Sequence, residues 1–219
     1  MILKLNDLLQ MEQRYRATFI NSLAGFRQAV LVGTKSKEGQ SNLAIFNSLI
    51  HLGASPALYG IISRPDTVRK DTLKNILETE QYTLNYVQKS DFKKAHQTSA
   101  KYEENVSEFE KAGFTEAYLS GFSAPFVKEA VVKIGMKLED KIDIKINGTI
   151  LIIGSLQTIE LNEYILGDDG FIALEKENVL VSAGLDGYYS AEFIGRLAYA
   201  KPGNRPTTIE DDALNSKPI

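Results

Sequence analysis

The stretch AVLVGTKSKEGQSNLAIFNSLIHL, residues 29–52, decides the fold class. Its first seven residues, through Lys35, are mostly apolar or β-branched, as strands prefer. A polar turn, SKEGQ, carries one glycine, and a second apolar run follows over 41–52. Two β-compatible runs joined by five turn residues predict a hairpin. ALYGIIS (57–63), directly after Pro56, predicts a third strand.

Upstream the period lengthens. Leu8, Leu9, Met11, Tyr15, Phe19 and Leu23 recur at three- and four-residue spacing, which predicts a helix over 6–24. Asn6 or Asp7 can cap it and Gly25 can stop it. Downstream, DTLKNILET (71–79) predicts a short helix with Asp71 or Thr72 as N-cap. YTLNYVQ (82–88) returns to strand, and DFKKAHQTSAK (91–101) and VSEFEKA (106–112) predict two more short helices.

From Ala130 the β pattern resumes as AVVKIGMKLED, KIDIKING and TILIIGSLQTIEL, with Asn147-Gly148 as a two-residue hairpin turn. GDDG (167–170) predicts another turn, and LVSAG and the stretch around EFIGRLAYA (192–200) the last strands. The polar tail after Pro202 is expected to be loose. Strands paired by short turns, without strand–helix–strand alternation, predict a mainly β, antiparallel barrel or sandwich with added helices. The 219 residues fit a single domain, with a core over about 14–202 and a tail over 203–219.

Composition narrows the chemistry. The net charge of −3 is spread without blocks of like sign, so neither nucleic acid nor a membrane surface is expected as partner. With no cysteine, thiolate nucleophiles, disulfides and Cys-based metal sites are excluded. Two histidines, His51 and His96, leave little scope for a histidine metal site or a triad, and no metal is expected. The start MILKLNDLLQ has no signal-peptide pattern, and no run reaches the roughly 18–20 apolar residues of a membrane span. A cytoplasmic protein is expected. Dinucleotide, P-loop and G-x-S-x-G motifs are absent, and Asp168-Asp169 and Asp211-Asp212 sit in turn-like or tail contexts.

Three features can meet a polar ligand. In SRPDTVRKDTLKN (63–75), Arg64, Arg69 and Lys70 precede the helix start at Asp71-Thr72, where free N–H groups attract phosphate. The same stretch also reads as a solvated basic loop capped by Asp71. Asn42, Asn47 and Ser48 interrupt an apolar strand run and need partners, which either a flavin or backbone groups can supply. His51 reads as structural, whereas His96, near Ser99 and Lys101, is either structural or in contact with a ligand.

Taken together, FINSLAGFRQAVLVGT (19–34), GQSNLAIFNSLIHLGASPALYGIISRP (39–65), DTLKNILETEQYTLNYV (71–87), AHQTSAKY (95–102), SAPFVKEAVVKIGMKL (123–138) and RLAYAKPG (196–203) carry a resemblance. From about Arg14 to Pro202 the chain resembles the flavin reductase-like flavoproteins with an FMN-binding split barrel. That family's N-x-A-P-F-S stretch corresponds to NLAIFNS, keeping Asn42, Ala44, Phe46 and Ser48 in type, with Ile45 for the proline and Asn47 for the first serine. Its R-P step and D-T-x-x-N correspond to Arg64-Pro65 and Asp71-Thr72-Asn75.

The resemblance implies a Greek-key split antiparallel β-barrel with an N-terminal helix and a few short inserted helices. It also implies non-covalent FMN and a homodimer with the flavin near the subunit interface. The cofactor set it implies, together with the stretches above, is Asn42, Ala44, Ile45, Phe46, Asn47, Ser48, Ser63, Arg64, Arg69, Lys70, Thr72, Asn75, His96, Ser99 and Lys101. Phe46, Asn47 and Ser48 would wall the ring and ribityl chain, and Arg69–Thr72 would hold the phosphate. No catalytic side chain is expected, because the flavin carries the chemistry. The expected activity is NAD(P)H-dependent flavin reductase-like electron transfer, with NADH or NADPH as donor. The alternative is an FMN electron carrier that exchanges electrons with a protein partner.

Overall fold

The computed structural model describes residues 1–65, 71–103 and 105–209. Two helices, α1 (Leu5–Gln10) and α2 (Gln13–Leu23), stand where one helix is expected. The chain breaks at Met11-Glu12 because the Glu12 carboxylate accepts a 2.9 Å bond from the Tyr15 amide and starts a new helix. Gly25, at φ +72°, ends it as expected.

The decisive hairpin forms as read. β1 (Arg27–Gln28) leads into β2 (Val30–Lys35), which pairs antiparallel with β3 (Ser41–Phe46), Lys35 opposite Ser41. The run expected as one strand over 41–52 is two. After Phe46 the chain leaves β2, and β4 (Ile50–Ala54) pairs instead with β5 (Ala57–Ser63). Side chains force the change of partner: the Asn47 amide donates to the Gly184 carbonyl at 2.6 Å. The Ser48 hydroxyl donates to the Ile62 carbonyl at 3.1 Å and accepts from the Ile62 amide at 3.0 Å. The β4–β5 ladder ends at Gly60, so Ser48 supplies the next rung from a side chain.

α3 (Asp71–Thr79) has the expected bounds, and β6 (Gln81–Tyr86), α4 (Phe92–Gln97) and α5 (Glu108–Ala112) are shorter than expected. Two short strands, β7 (Glu116–Ala117) and β8 (Phe126–Val127), precede a long pair, β9 (Val132–Ile144) and β10 (Thr149–Leu161). The turn between them is four residues, 145–148, rather than two, with Gly148 at φ +72°. β11 (Leu180–Ala183) pairs with β12 (Gly187–Ser190) around Gly184. The expected strand in EFIGRLAYA does not form; its place is taken by Gly187-Tyr188-Tyr189-Ser190, whose aromatics suit a pleated surface. Residues 196–198 are tied back to 207–209 by the Ala198–Thr207 and Ile209–Arg196 backbone bonds, so that part of the tail is not loose.

One antiparallel sheet of order β3-β2-β6-β9-β10-β5-β4 dominates, and a smaller sheet of order β1-β11-β12 stands beside it. β2 and β5 are separated by three strands in that order, yet Val32 and Ile61 share one buried cluster with Ile134 and Ile152. The sheet is therefore curled around a common interior, and its edges β3 and β4 stay open to each other, as a split barrel requires. Register shifts between β9 and β10 add bend. A second cluster, Leu31, Leu43, Phe109 and Phe114, covers the outer face of β2 and β3 under α4 and α5. Both faces of β2 are covered, which is why VLVGT is apolar throughout rather than alternating. Among the described residues, no helix is long and apolar enough to cross a membrane.

Gly33 shows how tightly that outer layer sits. A Cβ there would lie 2.2 Å from the Pro125 carbonyl oxygen and 2.5 Å from the Thr83 hydroxyl. Gly33→Ala is expected to destabilise the chain by about 1–3 kcal/mol, as overpacking of a rigid interior does. Urea unfolding of the two proteins checks this.

Candidate functional site

The site starts from a buried node. Thr34, fully buried on β2, accepts a 3.1 Å bond from the Asn42 amide on β3 and another of 3.1 Å from the Asn75 amide on α3. Asn42 gives its second amide hydrogen to the Thr72 hydroxyl at 2.9 Å. The first turn of α3 is thereby clamped to the hairpin. Because Thr72 Oγ accepts from Asn42, its own proton is turned elsewhere and can be donated.

Beside this node lies a cavity of about 690 Å³, within the roughly 300–1,000 Å³ usual for small-molecule sites. β3 forms one wall with Asn42, Ala44, Ile45 and Phe46, continued by Asn47 and Ser48. Ser63 and Arg64 at the end of β5 and Asp71 and Thr72 at the start of α3 close one end. Ser99 and Lys101, in the turn after α4, form another side. Arg27, Ser182, Leu185 and Tyr188, from the small sheet, close the remainder. From Asn42, bonded to Thr72, to Asn47, bonded to Gly184, the β3 wall runs roughly 16 Å at about 3.3 Å per residue. The cavity has hydroxyls, the Arg64 guanidinium and the Asp71 carboxylate where β5 meets α3, and the apolar side chains of Ala44, Ile45 and Phe46 along β3.

Of the residues singled out in the sequence, Asn42, Ala44, Ile45, Phe46, Asn47, Ser48, Ser63, Arg64, Thr72, Ser99 and Lys101 line this one space. Asn75 does not; it is 3% exposed and holds Thr34 from behind. His96 does not line it either. Its Nδ1 shares a 2.8 Å hydrogen bond with the hydroxyl of Tyr188, which does. Burial, reinforced by the charge of Asp186, raises the Tyr188 phenol above its ordinary range, so that hydroxyl stays protonated at neutral pH. Arg69 and Lys70 lie outside the described residues. His51 lies away from the cavity, edge-on to Tyr59 at 5.8 Å.

The donors that interrupt the β3 run are largely spent inside the protein, both Asn42 amide hydrogens on Thr34 and Thr72, one Asn47 hydrogen on Gly184 and the Ser48 hydroxyl on Ile62. The unsatisfied buried atoms lie elsewhere: among the side chains lining the cavity, Arg27 Nε and Ser182 Oγ have no partner. Neither carried a sequence signal. A lone serine in a short strand and an arginine beside Phe26 are common, and only the register that sets them opposite one another distinguishes them.

Comparison with known proteins agrees with this architecture. The family model described as the flavin reductase like domain matches residues 24–172. The chain belongs to the flavin reductase-like family. It is similar to an uncharacterized protein of Aquifex aeolicus, 31% identical over 147 residues, covering 66% of this chain and 74% of that one. A crystal structure from Shewanella frigidimarina NCIMB 400, described as a flavin reductase with a split barrel domain, superposes with a TM-score of 0.88 at 44% identity. That match covers 91% of this chain and all of the other. Nitrilotriacetate monooxygenase component B from Bacillus cereus has a TM-score of 0.78 at 22% identity over 89% of this chain and 96% of its own, which shows the shared fold alone.

Family membership implies a flavin cofactor and flavin-linked oxidoreductase chemistry. The donor set fits such a group: hydroxyls and Arg64 suit a polar tail, and Ala44, Ile45 and Phe46 suit a flat ring. The node behind them is testable alone. Thr34→Val keeps the side-chain shape and removes the oxygen that two buried amides donate to, and a loss of about 1–3 kcal/mol in unfolding free energy is expected by calorimetry.

Proposed function

We propose that this chain binds FMN non-covalently in the β3 cavity and works as an NAD(P)H-dependent flavin reductase-like oxidoreductase. The observation that carries the reading is the polarity of the cavity, with the Ser63 and Thr72 hydroxyls and the Arg64 guanidinium gathered at the α3 start beside the Asp71 carboxylate. Thr72, Ser63 and Arg64 would hold the phosphate. Phe46 and Ile45 would lie along the ring. Ser48 would fix that wall through its bonds to Ile62, and Asn47, held by one amide hydrogen on Gly184, keeps its second amide hydrogen and its carbonyl oxygen for the ligand. When bound, the flavin supplies the redox chemistry, accepting electrons from a donor and passing them on.

The chain's own residues supply binding and shape. Tyr188, hydrogen-bonded to His96 through its hydroxyl, forms part of the cavity wall. A homodimer is part of the proposal. α2 has no buried residue within one chain, and Tyr15, Ile20 and Leu23 are 63%, 45% and 66% exposed. An apolar helix stripe of that kind is ordinarily covered by a partner.

The purified protein is expected to be yellow or to take up added FMN. A colourless protein that binds none would end the flavin reading. Anaerobic mixing with NADH or NADPH is expected to bleach the flavin band; if both leave it unchanged while a reduced protein donor bleaches it, the chain is an electron carrier. The double variant Arg64→Ala, Thr72→Val is expected to weaken FMN by about 10- to 100-fold and riboflavin by no more than about threefold. Equal losses would place the phosphate elsewhere.

A further inference from the structure

Arg27 and Ser182 form a pair whose chemistry the flavin reading leaves unused. They are direct partners in the antiparallel register of β1 and β11, so both side chains leave the same face of the small sheet. Ser182 is 3% exposed and its Oγ has no hydrogen-bond partner. Arg27 Nη2 donates to the carbonyls of Asn21 and Gly184, each at 3.3 Å, while its buried Nε has no partner. Two carbonyls from different segments therefore hold the guanidinium still. Among the described residues no carboxylate lies within ion-pair distance of it.

A half-buried cation whose buried Nε–H is unspent, beside a buried unspent hydroxyl, is costly unless something accepts from both. Water can satisfy a hydroxyl, but the uncompensated charge favours an anion. Phe46, Leu185 and Tyr188 line the same cavity, so the group that fits is a carboxylate on a flat apolar body. We infer that Arg27 and Ser182 form a carboxylate-binding subsite for a second small molecule, the substrate or electron acceptor that meets the flavin. This rests on the proposed flavin function only in naming what lies beside the subsite.

The test titrates benzoate and its neutral counterpart benzamide, by calorimetry, into FMN-loaded and FMN-free protein. Benzoate is expected to bind at least about tenfold more tightly than benzamide, as a charge-assisted pair provides. Ser182→Ala and Arg27→Met are each expected to reduce that preference to about threefold or less, with FMN affinity held within about threefold. Equal binding of the two probes to the unaltered protein overturns the inference in favour of a neutral carbonyl, and needs no variant to fold. A preference that survives in Ser182→Ala also overturns it. So does a loss of FMN affinity of about tenfold or more in that variant, which would give the pair to the flavin's own ring carbonyl. If the chain takes up no FMN, the flavin reading falls, and the preference measured in the flavin-free protein still decides this one.

Discussion

The hydroxyl of Thr34 is the constraint on which the site depends. It is fully buried and receives amide hydrogens from Asn42 and Asn75, one on the neighbouring strand and one on a helix that follows two strands later. Buried amides without partners are expensive, so the hairpin and α3 can satisfy these groups only in one relative position. Asn42 then reaches Thr72 with its second hydrogen and fixes the first helical turn against the end of β3. The polar end of the cavity follows from that clamp, since Ser63, Arg64 and Thr72 meet only when α3 is so placed.

The remainder of the cavity follows from how the main sheet curls without closing. Seven strands wrap a shared core of Val32, Ile61, Ile134 and Ile152, but β3 and β4 do not pair with one another. The connection between them, Asn47 to Leu49, changes strand partner and is held by side-chain bonds where a ladder would otherwise run. Open backbone at a sheet edge is a liability unless something covers it. Here α4, α5 and the small β1-β11-β12 sheet stand around β3, and the space they leave is the site.

Much of this was legible beforehand. β5 and α3 have the bounds read from the sequence, and the hairpin of β2 and β3 forms because each run is apolar and the turn between them is not. Eleven of the singled-out residues line one cavity because they belong to β3 and its continuation, the end of β5, the start of α3 and the turn after α4. Other readings failed for physical reasons. The run over 41–52 looks continuous in hydrophobicity, and periodicity cannot reveal that Asn47 and Ser48 turn the chain toward a different partner. EFIGRLAYA is apolar enough for a strand, yet Tyr188 and Tyr189, just after a tight turn, take the pairing position on β11. Asn75, in the D-T-x-x-N pattern one helical turn past Thr72, stands behind the cavity wall with its amide on Thr34, a placement that only the tertiary structure gives.

By itself, the sequence determined the position of the main strands and of α3, the antiparallel class, and the exclusion of thiol chemistry, since these depend on local pattern and composition. It also determined which polar residues interrupt apolar runs. It could not determine whom those residues bond. That is decided by long-range register, and the answer reverses the first impression. The conspicuous donors of Asn42 and Ser48, and one of the two amide hydrogens of Asn47, are consumed in holding the protein together. The unspent ones, Arg27 Nε and Ser182 Oγ, are more than 150 positions apart in the chain and meet only because β1 lies against β11. A hydrogen bond's partner is a property of tertiary position, so the free groups of a site are known only once the fold has filled all the others.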